Sequence, residues 1–285
     1  MKVKDLKKDI KKKLEEAKVQ DAETEVRLLL KTYANISEAD LYADPELEVT
    51  SETVLKTLDD AVGKRCSRIP LQHILGKTCF MGFDFNTPPG ALIPRPDTEI
   101  LVEEVLRDYH DGTKILDLCT GTGCIIISLM ALTGDCRGTG TDISDDALSV
   151  AEENADLILG DKKQFLELKK GDLYEALDEG VLYDIIVSNP PYIKSSDIDS
   201  LMPEVKDHDP VIALDGGLDG LDFYRRIING ARSHMIKGGE IFLEIGYDQA
   251  SDVTGLLEEN GFKYIEVIKD YSGNDRVVRA VSPVL

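Results

Sequence analysis

Basic residues are scarce in this sequence: 33 Lys and Arg stand against 54 Asp and Glu, a formal net charge of −21 over 285 residues. A protein that grips a nucleic-acid backbone over a broad face needs a basic stripe, because phosphate neutralisation supplies the affinity. The only basic cluster lies between Lys2 and Lys18, where four acids dilute it. It reads as the solvated face of a helix at least as well as a docking patch. Extended nucleic-acid binding is therefore not expected. Long apolar runs are also missing, with none approaching the roughly 20 residues of a membrane span. The first residues, "MKVKDLKKDIKKKLEEAK", lack the apolar centre of a secretory signal and carry acids that a transit peptide avoids. A cytoplasmic chain, monomeric and away from membranes, is the expectation. The five cysteines (Cys66, Cys79, Cys119, Cys124 and Cys136) form no C-x-x-C pair, and the four histidines are scattered. Zinc-ligand spacing is absent, so no metal is expected and the thiols read as reduced and mostly buried.

What is present suffices for a core. A hydrophobic content of 42% is ordinary for a globular chain, and the length suggests one large domain plus a small one. Residues 1–75 read as a small all-helical domain. Val3, Leu6, Ile10, Leu14 and Ala17 recur at helical spacing, and a second helix is expected over about 22–33. Ser37-Glu38-Ala39-Asp40 resembles a capping box, and Val54, Leu58, Ala61 and Val62 mark a fourth helix after Ser51. Residues 76–97 read as a β-hairpin linker with a turn at Pro88-Pro89-Gly90, leading into a helix near Thr98. From 98 to 285 helices and strands alternate. Strands are expected at 114–118, 138–143, 165–169, 183–188 and 240–245, and a closing hairpin around Ser272-Gly273-Asn274-Asp275. That alternation is the pattern of a parallel α/β sheet.

"KILDLCTGTGCIIISL" (114–129) reads as strand, glycine-rich turn and helix, the place where such folds seat a ligand. A nicotinamide dinucleotide fits poorly, because the third glycine of G-x-G-x-x-G falls on Ile126. Asp117, just before the turn, suits a cationic ligand better than a diphosphate. Asp142 follows Gly123 by 19 residues at the end of the next strand, where a carboxylate accepts both hydroxyls of a ribose. Asp172 ends a later strand and is expected near an adenine amino group, with Leu173 against the ring. A plain βα turn explains Gly121 and Gly123 alone. With Asp117 and Asp142 in place, S-adenosylmethionine is the expected cofactor.

"VSNPPYI" (187–193) ends a buried strand in a stiff corner. Pro190 and Pro191 remove two backbone donors, so the sheet cannot continue. An amide or aryl amino nitrogen is a weak nucleophile and must be held with its lone pair aimed at the methyl group. The Asn189 side-chain carbonyl and the Pro190 backbone carbonyl would accept its two N–H groups, and Tyr192 would offer a flat face. A strand-ending turn explains the prolines but neither Asn189 nor Tyr192. Rival readings are a nucleic-acid amino-methyltransferase using the same clamp, a nicotinamide oxidoreductase, and a non-catalytic binding module.

"DLCTGTG" together with "NPPY" resembles the amino-methylating branch of the S-adenosylmethionine-dependent methyltransferases. "PLQHILG" (70–76), "LIPRPDTEILVE" (92–103), "ALDGGLDGLDFYRRII" (213–228), "LEIGYDQ" (243–249) and "NDRVV" (274–278) narrow the resemblance to the peptide-chain release-factor glutamine methyltransferases. It is strong from about residue 70 onward, and Arg95 and Pro96 belong to its most specific stretch as supporting residues. The resemblance implies a Rossmann-like class I methyltransferase with a seven-stranded sheet and a helical N-terminal domain. It implies N5-methylation of the glutamine in the Gly-Gly-Gln loop of release factors. It places the cofactor at Cys119, Thr120, Gly121, Thr122, Gly123, Asp142, Asp172, Leu173 and Asn189, and the target glutamine at Asn189, Pro190, Pro191 and Tyr192. Cys119 stands where such motifs commonly carry glycine, and Leu173 where they often carry an aromatic. The helical domain and the hairpin are candidates for gripping the release factor; a helical cap that only stabilises the fold is the alternative.

Overall fold

The computed structural model describes residues 1–44 and 46–283. The chain forms two compact units, Met1–Lys77 with Met202–His208, and Thr78–Leu201 with Asp209–Leu285. In the first unit, α1 (Val3–Glu16) buries Val3, Leu6, Ile10 and Leu14, the face set by their spacing. Helices α2 (Ala22–Ala34), α3 (Glu38–Ala43), α4 (Glu52–Cys66) and α5 (Leu71–Leu75) complete the bundle. Ser37 and Asp40 form a reciprocal capping box, and Ser51 caps α4. The short returning segment has no counterpart in the sequence reading. Its Glu204 accepts from buried Arg65 at 2.9 Å and from Arg68 at 2.6 Å, and Arg65 also holds Glu25 at 2.6 Å. Among the described residues no helix is long and apolar enough to cross a membrane.

The second unit opens with a hairpin, β1 (Lys77–Phe80) and β2 (Phe83–Asn86). Its turn is Met81-Gly82, both at positive φ (50° and 81°), as a two-residue hairpin turn of matching twist requires. The turn expected at Pro88-Pro89-Gly90 exists, closed by the Ala91 N–H on the Pro88 carbonyl at 3.1 Å, but it follows the hairpin. Proline and glycine marked a turn without marking which one joins the strands. Phe80 and Phe85 are buried in the core of this unit.

The remaining elements are α6 (Glu99–Asp108), β3 (Thr113–Leu118), α7 (Cys124–Leu132), β4 (Cys136–Asp142), α8 (Asp145–Ile158), β5 (Leu166–Lys170), β6 (Tyr183–Ser188), α9 (Pro203–Lys206, in the returning segment), α10 (Asp222–His234), β7 (Met235–Glu244), α11 (Ala250–Glu259), β8 (Lys263–Lys269) and β9 (Asp275–Val281). The sheet has seven strands in the order β5-β4-β3-β6-β7-β9-β8. The first five are parallel, while β9 runs antiparallel to both β7 and β8. Central strands β3 and β6 are buried on both faces over most of their length, as helices on each side demand. From β3 the chain builds outward through β4 and β5, then returns to lay β6 on the other side of β3. Order reverses there, and ligands of such sheets sit at the carboxyl ends flanking that point.

Candidate active site

The register of β3 on β6 pairs Leu118 with Ser188, so the next residues, Cys119 and Asn189, leave the sheet side by side. The Ser188 hydroxyl fixes this edge by donating to the Leu118 carbonyl at 2.6 Å. Above them opens a cavity of about 380 Å³, a size ordinary for a small-molecule site. Its walls include Cys119, Gly121, Thr122, Asp142, Asp172, Leu173, Asn189 and Pro191. Asp117, Thr120, Gly123, Pro190 and Tyr192 lie behind the walls rather than in them.

Asp142 is held by two backbone donors, Gly121 N–H and Ser144 N–H, each at 2.9 Å. Both carboxylate oxygens are thereby oriented, and each keeps lone pairs for a ligand. Next to it Thr141 has a buried hydroxyl without a partner, an acceptor and donor waiting at the cavity edge. Asp172 pairs with Arg226 at 2.8 Å, so only part of its acceptor capacity is open to an adenine. Leu173 adopts a left-handed φ of 54° and is buried. These features fit a nucleoside.

Asp117 is fully buried and does not reach the cavity. One oxygen accepts from the Thr120 hydroxyl at 2.6 Å, and the other has no partner. Burial pushes its carboxyl up to about 7, against the Thr120 hydroxyl and the Ile126 N–H, which favour the ionised form. Asp117 lies beneath the glycine turn, tied to it through the Thr120 hydroxyl, with its second oxygen left unpartnered. Cys119 holds φ at 60°, a conformation that costs a non-glycine residue about 1–2 kcal/mol. Burial raises the Cys119 thiol far above its ordinary value and pushes that of Cys124 up to about 12, so neither is a thiolate nucleophile.

The missing third glycine has a complement. Ile126 lies on α7 over β4, and a Cβ on Gly138 of that strand would meet Ile126 Cγ1 at 2.8 Å and Met130 Sδ at 2.6 Å. Close helix–strand packing is kept by placing the glycine on the strand.

On the substrate side, the Asn189 side-chain nitrogen donates to the Thr98 hydroxyl at 3.2 Å, leaving the carboxamide oxygen as the free acceptor. Pro190 and Pro191 are buried. The Tyr192 carbonyl accepts from the Gln249 side chain at 3.1 Å, and Gln249 also holds the Gly220 carbonyl at 3.1 Å. The Ile193 N–H donates to the Leu214 carbonyl and the Gly216 N–H to the Ile193 carbonyl, and a Cβ on Gly216 would stand 2.7 Å from Tyr192 Cα. The stretches 213–228 and 243–249 are thus the frame of the corner.

Arg95-Pro96-Asp97-Thr98-Glu99 is a hub. Arg95 pairs with buried Asp209, Asp97 meets Arg276 at 3.1 Å, Thr98 holds Asn189, and Glu99 accepts from the Met81 N–H at 2.6 Å. Pro96 starts the tight turn that presents them. Thr98, marked in the sequence only as the start of a helix, and Phe223 and Arg226 were given no site role there, although all lie inside the quoted stretches; Phe223 and Arg226 line the cavity. Among the described residues no cluster suited to a metal occurs.

This strand order, with a glycine turn and an acceptor-lined cavity at the switch point, defines a Rossmann-like class I methyltransferase. A methyltransferase from Pyrococcus furiosus shares the fold, with a TM-score of 0.55 at 19% identity over 78% of this chain and 99% of that one. Residues 5–76 match the PrmC N-terminal domain and residues 96–204 the methyltransferase small domain. The release factor glutamine methyltransferase of Clostridium acetobutylicum is 44% identical over 245 residues, 85% of each chain. That of Geobacter sulfurreducens is 38% identical over 265 residues, 93% of this chain and 91% of its own. The chain belongs to the release factor glutamine methyltransferase family.

Proposed function

We propose that this protein transfers the methyl group of S-adenosylmethionine to the side-chain nitrogen (N5) of the glutamine in the Gly-Gly-Gln loop of a peptide-chain release factor, acting as a monomer in the cytoplasm. The observation that carries the reading is the juxtaposition set by the Leu118–Ser188 register, with the glycine turn and Asn189-Pro190-Pro191-Tyr192 emerging together at one edge. Bound there, S-adenosylmethionine supplies an electrophilic methyl on a positive sulfur. Asp142 accepts the ribose hydroxyls, and Leu173 and Phe223 flank the adenine with Asp172 at its amino group. Cys119 through Gly123 form the turn over the amino-acid end, with Asp117 and Thr120 stiffening it.

Asn189 and Pro190 do the orienting. The Asn189 carboxamide oxygen and the Pro190 carbonyl accept the two N–H bonds of the target amide, turning its lone pair toward the methyl. As the nitrogen–methyl bond forms and the sulfur–methyl bond breaks, positive charge develops on nitrogen, and these two dipoles stabilise it in a site that needs no reorganisation. The sulfur would leave as the neutral thioether of S-adenosylhomocysteine, and the nitrogen would give up one N–H proton to solvent. Holding the nucleophile in line can lower the barrier by up to about 7–11 kcal/mol, so a strong general base is not required. Tyr192 closes one face of the planar amide, and Arg95 and Pro96 steady the corner from outside. The test is label transfer from methyl-labelled S-adenosylmethionine to purified release factor and to a factor whose loop glutamine is replaced. Label on the intact factor alone supports the reading. Label on neither, with transfer to ribosomal RNA or DNA, overturns it in favour of a nucleic-acid amino-methyltransferase.

A further inference from the structure

Gln249 stands just ahead of α11 and is 4% exposed, and both ends of its carboxamide have backbone partners. The oxygen accepts the Gly246 N–H at 2.9 Å. The NH₂ has two protons, and the carbonyls of Tyr192 and Gly220, each at 3.1 Å, take one apiece. A backbone N–H facing the oxygen and two carbonyls facing the nitrogen allow only one orientation of the carboxamide. The Tyr224 hydroxyl, which donates to the Glu244 carbonyl at 2.8 Å, lies 3.5 Å from the same oxygen. Two glycines make the room. A Cβ on Gly220 would stand 2.5 Å from the Tyr192 carbonyl oxygen and 2.8 Å from Gln249 Nε2, and one on Gly246 would stand 2.9 Å from Gln249 Oε1.

We infer that Gln249 is a positioning residue for methyl transfer, one that sets the direction of the Pro190 carbonyl by pinning the far end of the Asn189–Tyr192 corner. The inference rests on the proposed clamp role of Asn189 and Pro190. The rings of Pro190 and Pro191 hold φ at about −65°, so the corner is a stiff rod with little freedom beyond the ψ angles of its two prolines. Its near end is fixed where Asn189 leaves β6 and donates to Thr98 at 3.2 Å. Its far end is fixed by Gln249 at the Tyr192 carbonyl, and one residue further on by the Ile193 N–H on the Leu214 carbonyl at 2.9 Å. With both ends pinned, the Pro190 carbonyl between them has one direction. Without the Gln249 NH₂, the carbonyls of Tyr192 and Gly220 would be left facing each other unpaired, and the corner would move to part them. A displacement of about 1 Å at the reacting group can cost about a hundredfold in rate. Asp142 and the glycine turn follow β4 and β3 and keep their own bonds. The loss therefore falls on kcat rather than on cofactor binding.

The test compares wild type with Gln249→Met and Gly246→Ala. Met fills similar space and donates nothing, whereas the alanine Cβ crowds Gln249 Oε1 and leaves every donor in the chain. Three quantities are measured: kcat for release factor at saturating cofactor, the Kd of S-adenosylmethionine by calorimetry, and amide hydrogen exchange along the corner. Gln249→Met should lower kcat roughly tenfold to a hundredfold and Gly246→Ala roughly threefold to tenfold, each with a cofactor Kd within about threefold of wild type. The Ile193 and Gly216 N–H groups, bonded to the Leu214 and Ile193 carbonyls, should exchange faster in both variants, while those of β3 keep their wild-type protection. A merely structural role would lower the melting temperature and leave the kcat of the folded enzyme alone, so wild-type kcat in folded Gln249→Met overturns the inference. A raised cofactor Kd with kcat unchanged at saturation overturns it as well. Gly246→Ala decides the matter by the same readings should Gln249→Met fail to fold. Wild-type protein that transfers no methyl to release factor fails the underlying clamp reading instead, whereas unaltered exchange at Ile193 in the variants fails this inference whatever the substrate.

Discussion

Replacing Asp142 with Asn tests the cofactor half of the site with a magnitude fixed by its geometry. Both Asp142 oxygens already accept backbone N–H bonds at 2.9 Å, from Gly121 and Ser144. Asn keeps one oxygen and turns an NH₂ against the other donor. It also removes the charge from the bonds offered to the ribose. A hydrogen bond to a charged group contributes about 1.5–3 kcal/mol, roughly twice a neutral one. Weakening two such bonds therefore costs about 1.5–3 kcal/mol, a rise in Kd of roughly tenfold to a hundredfold. The ribose does not react, so the loss is shared by ground and transition states, and kcat at saturating cofactor should change little. Calorimetric titration with S-adenosylmethionine and with its demethylated product, alongside rates at saturation, measures both quantities. A Kd within about threefold of wild type would refute the assignment of Asp142.

Asn189→Ala should lower kcat by about 10²–10³ while leaving cofactor affinity near wild type, because the lost dipole acts on charge that develops only during transfer; rates at saturation and calorimetry separate the two. Gly216→Ala places a Cβ 2.7 Å from Tyr192 Cα and 2.9 Å from the Pro191 carbonyl oxygen, both main-chain atoms that cannot swing aside. It should cost about 1–3 kcal/mol in denaturant unfolding and lower kcat with it. Glu244 is held with its carboxyl raised from 4.5 to about 7, so the fold favours its protonated form. Its contribution to stability is complete below the unfolded value and is lost as pH rises through about 7. The melting temperature of Glu244→Gln relative to wild type should accordingly climb between pH 4.5 and 7 and level off above; a flat difference would contradict the burial argument.

Local patterns carried much of the architecture. The face of α1 followed from the spacing of Val3, Leu6, Ile10 and Leu14, and the start of α3 from Ser37 and Asp40, because both depend on neighbours within a turn or two. The buried strands β3 and β6 were legible from their apolar runs, and their adjacency from the two motifs at their ends. Features set by long-range packing were not. Met81 turns the hairpin with a φ that its side chain does not advertise. The complete burial of Asp117 beneath the glycine turn was likewise not legible, because it depends on the helix laid over the strand end. Thr98, Gln249 and Glu244 come from stretches far apart in sequence, and only the sheet brings them behind Asn189. The return of Met202–His208 to the helical unit likewise rests on Glu204 meeting Arg65 and Arg68, a pairing with no local signal.

The central claim is that one nitrogen, N5 of the release-factor loop glutamine, receives the methyl group. Tandem mass spectrometry of a release factor incubated with the enzyme and S-adenosylmethionine tests it most directly. The account predicts one added methyl group on the glutamine of the Gly-Gly-Gln peptide, absent with Asn189→Ala over the same interval. A methyl group on another residue, or an unmodified loop beside methylated nucleic acid, would contradict it.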